Sequence, residues 1–162
     1  MARTVMIERS GTSGTVATAK APLHNLAGCP VHDLKSRLRD AGLRPTRQRI
    51  ALGWLLFGRG DRHLSAETLY DEAQSARVPV SLATIYNTLN QFTQAGLLRE
   101  VAVEGSKTYF DTNTSDHHHF MIEGEDGLVD IPHSGLNVMN MPPLPEGTEI
   151  ARVDIVVRLR RV

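Results

Sequence analysis

The sequence predicts an α+β protein: an N-terminal winged helix-turn-helix domain followed by a small α/β dimerisation domain. Three observations carry this reading. Helical periodicity fills the first half of the 162 residues, an alternating hairpin pattern follows it, and three consecutive histidines, His117-His118-His119, stand where basic helical sequence gives way to acidic, strand-like sequence. The hydrophobic content of 41% suffices for a core, and no apolar run approaches the length of a membrane span. The first residues lack the apolar stretch of a secretory signal, and the single cysteine, Cys29, cannot form an internal disulfide; both fit a cytoplasmic protein. Three segments are expected: a flexible tail over 1–32, a DNA-binding domain over 33–113, and a dimerisation and ligand-sensing domain over 114–162.

Each element has a local cause. Asp33 caps a helix that carries Leu34 and Leu38 four apart and ends at Gly42. Thr46 caps a second, whose apolar face is assigned to Ile50, Trp54, Leu55 and Phe57. Ser65 opens a third, with Leu69, Ala73 and Ala76 inward, and Pro79 breaks the chain after it. Ser81 caps a fourth, SLATIYNTLNQFTQAG, with a buried stripe of Ile85, Leu89 and Phe92 and an outer face of Thr84, Tyr86, Asn87, Thr88 and Gln91. Leu97 to Val103 and Lys107 to Asp111 alternate around Glu104-Gly105-Ser106, the pattern of a hairpin. Helices followed directly by a two-stranded hairpin give the plan of a winged helix, in which the helix before the hairpin enters the major groove.

Beyond the histidines, strands are expected at Phe120 to Glu123, Leu128 to Ile131 and Ile150 to Leu159. A helix between the last two would be short, over Leu136 to Met141. So small a unit buries little alone and gains most by pairing with a copy of itself.

Charge and histidine placement narrow the function. The net charge of zero conceals two poles: residues 35–62 hold eight basic and two acidic side chains, and residues 101–150 hold nine acids against Lys107. One pole suits an anion and the other suits cations. In an extended segment His117 and His119 share a face, and His118 points with Asp116 to the other. That arrangement fits one metal on one face or two sites on opposite faces. A zinc metalloenzyme built on His117, His119 and an acid is an alternative, although no HExxH-type catalytic motif is present.

The runs HLSAETLYDEA, SLATIYNTLNQFTQAGLLRE and EGSKTYFD followed by HHH resemble the Fur family of metal-responsive transcription regulators, over about residues 33–131. Within it, Gly28-Cys29-Pro30 and the histidine triplet resemble the iron-response (Irr-like) branch. The resemblance implies a regulatory divalent-metal site (Fe, Mn or Zn) at His63, Asp111, His117, His119 and Asp130, with Asp where relatives often carry Glu at the second and last of these. Asp116 and His118 resemble part of a second site. Ile122 and Glu125 occupy the positions of the family's first Cys-x-x-Cys pair, so a thiolate zinc site is excluded and the second domain must hold by packing. Cys29-Pro30 resembles a haem regulatory motif, and a thiolate is a competent axial ligand. The implied haem contacts are Cys29, His117, His118 and His119. Haem binding would inactivate a regulator of haem-synthesis and iron-uptake genes, with a haem-synthesis enzyme as a further partner. A Fur-type regulator activated by a divalent metal is the alternative. The implied contacts to an A/T-rich double-stranded DNA operator are Arg44, Ser81, Thr84, Tyr86 and Asn87, made by a homodimer.

Overall fold

Leucine and phenylalanine side chains decide the arrangement of the first domain. In the computed structural model, which describes residues 30–103, 107–132, 136 and 138–162, four helices close around Leu38, Leu52, Leu56, Leu69, Ile85, Leu89 and Phe92. They are α1 (Pro30–Asp40), α2 (Arg47–Phe57), α3 (Ala66–Ser75) and α4 (Leu82–Gln94). Each of the last three starts on the predicted cap: the hydroxyls of Thr46, Ser65 and Ser81 accept the backbone N–H three residues on, at 3.2, 3.2 and 3.1 Å. Gly42 and Gly96 end α1 and α4 at φ +76° and +69°, a left-handed turn that a side chain would strain. The first helix begins at Pro30, three residues before the expected cap, because proline suits a first helical turn.

Three expectations about helix faces need correction. Trp54 is 44% exposed, while Leu52, Leu55 and Leu56 are buried. Those three repeat at intervals of three and four, and Trp54 lies about 200° around the helix from Leu52. On α4, Thr88 turns inward and donates its hydroxyl to the Thr84 carbonyl at 2.8 Å, whereas Ala76, at the end of α3, is exposed.

The wing has one strand more than expected. β1 (His63–Leu64) pairs antiparallel with β3 (Thr108–Asp111), which also pairs with β2 (Arg99–Ala102), giving the order β1-β3-β2. The predicted turn Glu104-Gly105-Ser106 lies outside the described residues. The second sheet, ordered β5-β4-β6, is built from β4 (His118–Ile122), β5 (Val129–Ile131) and β6 (Val156–Leu159). β5 runs antiparallel to β4 and β6 runs parallel to it, so residues 132–155 carry the chain across the sheet. The expected strand from Ile150 is thus confined to its last four residues, with Ile150 and Val153 exposed. No helix forms among the described residues of the expected Leu136–Met141 segment, which leads into Pro142-Pro143. Among the described residues no helix is long and apolar enough to cross a membrane.

The corrected face of α2 is testable by denaturant unfolding. Leu52→Ala is expected to destabilise the protein by about 2–5 kcal/mol, and Trp54→Ala by well under half as much; the reverse order would contradict the assigned face.

Candidate metal centre

The centre is assembled from two cross-strand pairs. His63 on β1 lies opposite Asp111 on β3, and His119 on β4 lies opposite Asp130 on β5. His117, two residues before His119, turns to the same side. Asp111, His119 and His117 are 0%, 1% and 5% exposed, and the Asp130 side chain, 40% exposed, forms the open edge.

Five side-chain atoms converge. Asp111 Oδ2 lies 2.9 Å from His117 Nε2, 3.4 Å from His119 Nε2 and 3.5 Å from His63 Nε2. Asp130 Oδ1 lies 2.9, 3.5 and 3.9 Å from the Nε2 atoms of His63, His117 and His119. Yet Asp111 Oδ2 and the three Nε2 atoms are buried without a partner in hydrogen-bond geometry. Buried polar atoms are normally satisfied, so four that converge on one point and leave each other unpaired fit a cation between them. Their separations fit too: ligands at about 2.0–2.2 Å from an ion stand roughly 3 Å apart around it. A mixed nitrogen and oxygen set suits Mn, Fe(II) or Zn.

The surrounding groups prepare these atoms. The Ser115 carbonyl lies 2.9 Å from His117 Nδ1; a carbonyl only accepts, so Nδ1 carries the proton and Nε2 keeps its lone pair for an ion. Asp111 Oδ1 accepts the Asn113 N–H at 2.8 Å. Burial pushes the Asp111 carboxyl up, but His119, His63 and that N–H together outweigh burial and hold it well below the usual carboxylate range. Residues 62 and 112 tie the ends of β1 and β3: the Arg62 N–H donates to the Thr112 hydroxyl at 2.8 Å and the Thr112 N–H donates to the Arg62 carbonyl at 3.1 Å.

All five residues expected for the metal are therefore brought together. His118 is buried outside this cluster, and Asp116 is exposed and 3.6 Å from Arg152, so among the described residues the two form no second cluster. Cys29 lies outside the described residues.

On α4, Tyr86 is 39% exposed rather than packed in the core, and its hydroxyl donates to Glu67 Oε1 at 2.6 Å. Asn87 and Ser81 are exposed beside it, and Thr84 is half-buried with its hydroxyl 2.9 Å from that of Ser81. Arg44 is exposed in the α1–α2 turn. That turn is braced by Arg49, whose guanidinium donates to the Arg44 carbonyl at 2.8 Å and to Gln91 Oε1 on α4 at 2.7 Å. Sequence reasoning missed Arg49, Glu67 and Arg99. Only Arg99 left a signal: strand alternation puts it on the buried side with Val101.

Because the Asp111 carboxyl is held ionised in the fold, it contributes stability in full above the ordinary carboxylate pKa, and loses that contribution as pH falls below about 4. The gap in urea midpoint between metal-free wild type and Asp111→Asn should therefore narrow as pH falls from 5 to 3; a constant gap would show that the carboxylate's charge contributes nothing.

Comparison with known proteins agrees with this architecture. The profile of the Ferric uptake regulator family matches residues 40–140. The chain is 36% identical over 90 residues to the ferric uptake regulation protein of Vibrio parahaemolyticus, a match covering 56% of this chain and 60% of that protein. It is 33% identical over 109 residues to the peroxide operon regulator of Bacillus subtilis, covering 65% of this chain and 74% of the relative. Among solved structures, the ferric uptake regulator of Pseudomonas aeruginosa with manganese superposes with a TM-score of 0.62 at 26% identity, over 79% of this chain and 97% of that one. With the family profile spanning well over half of its length, and the four helices, wing and second sheet in place, the chain belongs to the ferric uptake regulator family.

Proposed function

We propose that this protein is a DNA-binding transcription regulator, not an enzyme, whose DNA affinity is set by a divalent metal ion held by His63, Asp111, His117, His119 and Asp130. The observation that carries the proposal is the convergence of four buried, unpaired ligand atoms. The similar Pseudomonas aeruginosa regulator was solved with manganese, which supports the metal class. When bound, such an ion supplies positive charge and a cross-link between side chains rather than a reactive group. His63 and Asp111 belong to the wing sheet, and His117, His119 and Asp130 belong to the second sheet or its edge. Joining them restricts the angle between the two units, which is the lever by which occupancy alters DNA binding.

DNA would meet α4, with Tyr86 and Asn87 facing base edges, Ser81 and Thr84 near phosphates, and Arg44 reaching an A/T-rich minor groove. The exposed apolar side chains Val129, Met139 and Ile150 in the second unit support a homodimer, which matches twofold-related half-sites.

The haem-responsive, Irr-like form of this function rests on Cys29-Pro30 and the histidine triplet. It would add haem and a haem-synthesis enzyme as partners. The burial of His117, His118 and His119 favours the small ion, because a porphyrin needs an open face above its axial ligand. A catalytic zinc is disfavoured because the sequence holds no HExxH-type motif to supply a general base.

Titration with Mn(II), and separately with haem, tests the ligand. One Mn(II) per chain is expected, with His117→Ala or Asp111→Ala weakening binding at least ~100-fold; unchanged affinity in these variants would remove the assigned centre. A Soret band that shifts on Cys29→Ala would instead support the haem form.

A mobility-shift assay with A/T-rich promoter fragments tests the DNA face. Asn87→Ala or Tyr86→Ala should cost about 1–3 kcal/mol of affinity, and Arg44→Ala should lower the salt slope by about 1. Absence of wild-type binding at low salt, with or without Mn(II), would refute the regulator itself.

A further inference from the structure

We propose that Arg99 is a positioning residue of the metal centre: its buried guanidinium holds the His117 loop so that His117 Nε2 faces Asp111. The inference rests on the metal-responsive reading above.

Arg99 stands on β2 directly opposite Asp111, so β3 carries the row His63–Asp111–Arg99 across the wing sheet. Its side chain is 5% exposed, an unusual place for a cation. It reaches beyond its own sheet. Nη1 donates to the His117 carbonyl at 3.1 Å and to the Ser115 carbonyl at 3.4 Å. Ser115 O is the atom that also accepts the His117 Nδ1 proton. One guanidinium nitrogen therefore grips both the residue that fixes the His117 tautomer and the backbone of His117 itself.

The charge is balanced from the far end of the chain. Arg99 Nη2 pairs with Asp154 Oδ1, which also accepts Arg152 Nε at 2.9 Å. Arg152 in turn approaches Ser115 O at 3.5 Å and Asp116 at 3.6 Å. The segment leading into β6 is thereby joined to the loop that presents His117. A lysine at 99 is charged but offers a compact ammonium rather than a planar fork, so it can hold one carbonyl and not the whole set. A methionine preserves the stem and abandons both carbonyls. Ligand sets tolerate errors of only about 0.5 Å, so release of the loop should be felt as lost affinity.

The test uses the full chain, with Arg99→Met and Arg99→Lys. Calorimetric titration with Mn(II) is expected to show ~10–100-fold weaker binding for Arg99→Met, the range for groups that orient ligands, and partial recovery in Arg99→Lys. In metal-free protein, nitrogen-15 spectra of the imidazoles should show His117 protonated at Nδ1 in the wild type and as a tautomer mixture in Arg99→Met. A residue that merely stabilised the fold would lower the thermal midpoint and leave both readouts in place. Wild-type Mn(II) affinity in Arg99→Met, or an unchanged His117 tautomer, would overturn the proposal. If the wild type binds no Mn(II), the metal-responsive reading falls, and the tautomer spectra still decide what Arg99 does. If Arg99→Met does not fold, the same two measurements on Arg99→Lys decide: wild-type values overturn the proposal, and intermediate ones support it.

Discussion

Asp111 is a fully buried carboxylate, and the structure around it can be understood from what that burial requires. A carboxylate removed from water must be surrounded by donors or cations. Here the N–H of Asn113 serves Oδ1 along the chain, while Oδ2 faces the ring nitrogens of His63 across the sheet and of His117 and His119 from the next sheet, an arrangement that suits a cation between them. No short stretch of sequence could deliver all of these. β3 and β4, the central strands of the wing and of the second sheet, must bring Asp111 and His119 together, and the basic helical half and the acidic half of the chain are thereby held at one point.

The two faces of the protein are linked through short elements rather than through the core. His63 is followed immediately by Leu64 and by the Ser65 cap of α3, so a shift of β1 moves the start of a helix that carries Glu67. Glu67 accepts the hydroxyl of Tyr86, and that bond sets the tyrosine on the outer face of α4. The hydrogen bond also holds the Glu67 carboxyl below, and the Tyr86 phenol above, their ordinary values. These contacts link the candidate centre to the helix proposed to meet DNA.

The second sheet is thin. Its core consists of Val101, Tyr109 and Leu128 with Met121 and Val156 packed on them, so it leans on the wing for burial. The unit contains no cysteine, and Ile122 and Glu125 stand on its central strand and in the turn after it. What binds the unit is the parallel pairing of β4 with β6 and a set of ion pairs: Arg99 and Arg152 with Asp154, Arg160 with Glu123, and Arg161 with Glu125. The last two are exposed and add little. The Arg99 pair is different in kind, because the buried Arg99 guanidinium also donates to the His117 carbonyl, a contact that its removal would abolish.

The sequence by itself determined the four helices, the caps of the last three, and the residue types that gather at the candidate centre. Caps and hydrophobic stripes are local, within one or two turns, and the ligands follow from residue types at the spacings of a known family. Phe120 to Glu123 and Leu128 to Ile131 were equally local, as alternation on either side of a Gly-bounded turn. Tertiary structure alone decided the rest. β1 is two residues long and exists only because β3 is there to pair with it, so no periodicity announces it. The stretch from Ile150 has strand-like residues, but only Val156–Leu159 finds a partner, since a strand needs another strand's hydrogen bonds. Trp54 faces out because three leucines already fill the stripe that packs on the other helices. Arg99, Glu67 and Arg49 act through partners 16 to 55 residues away along the chain, and contacts over such distances are set by the fold and not by the residues beside them.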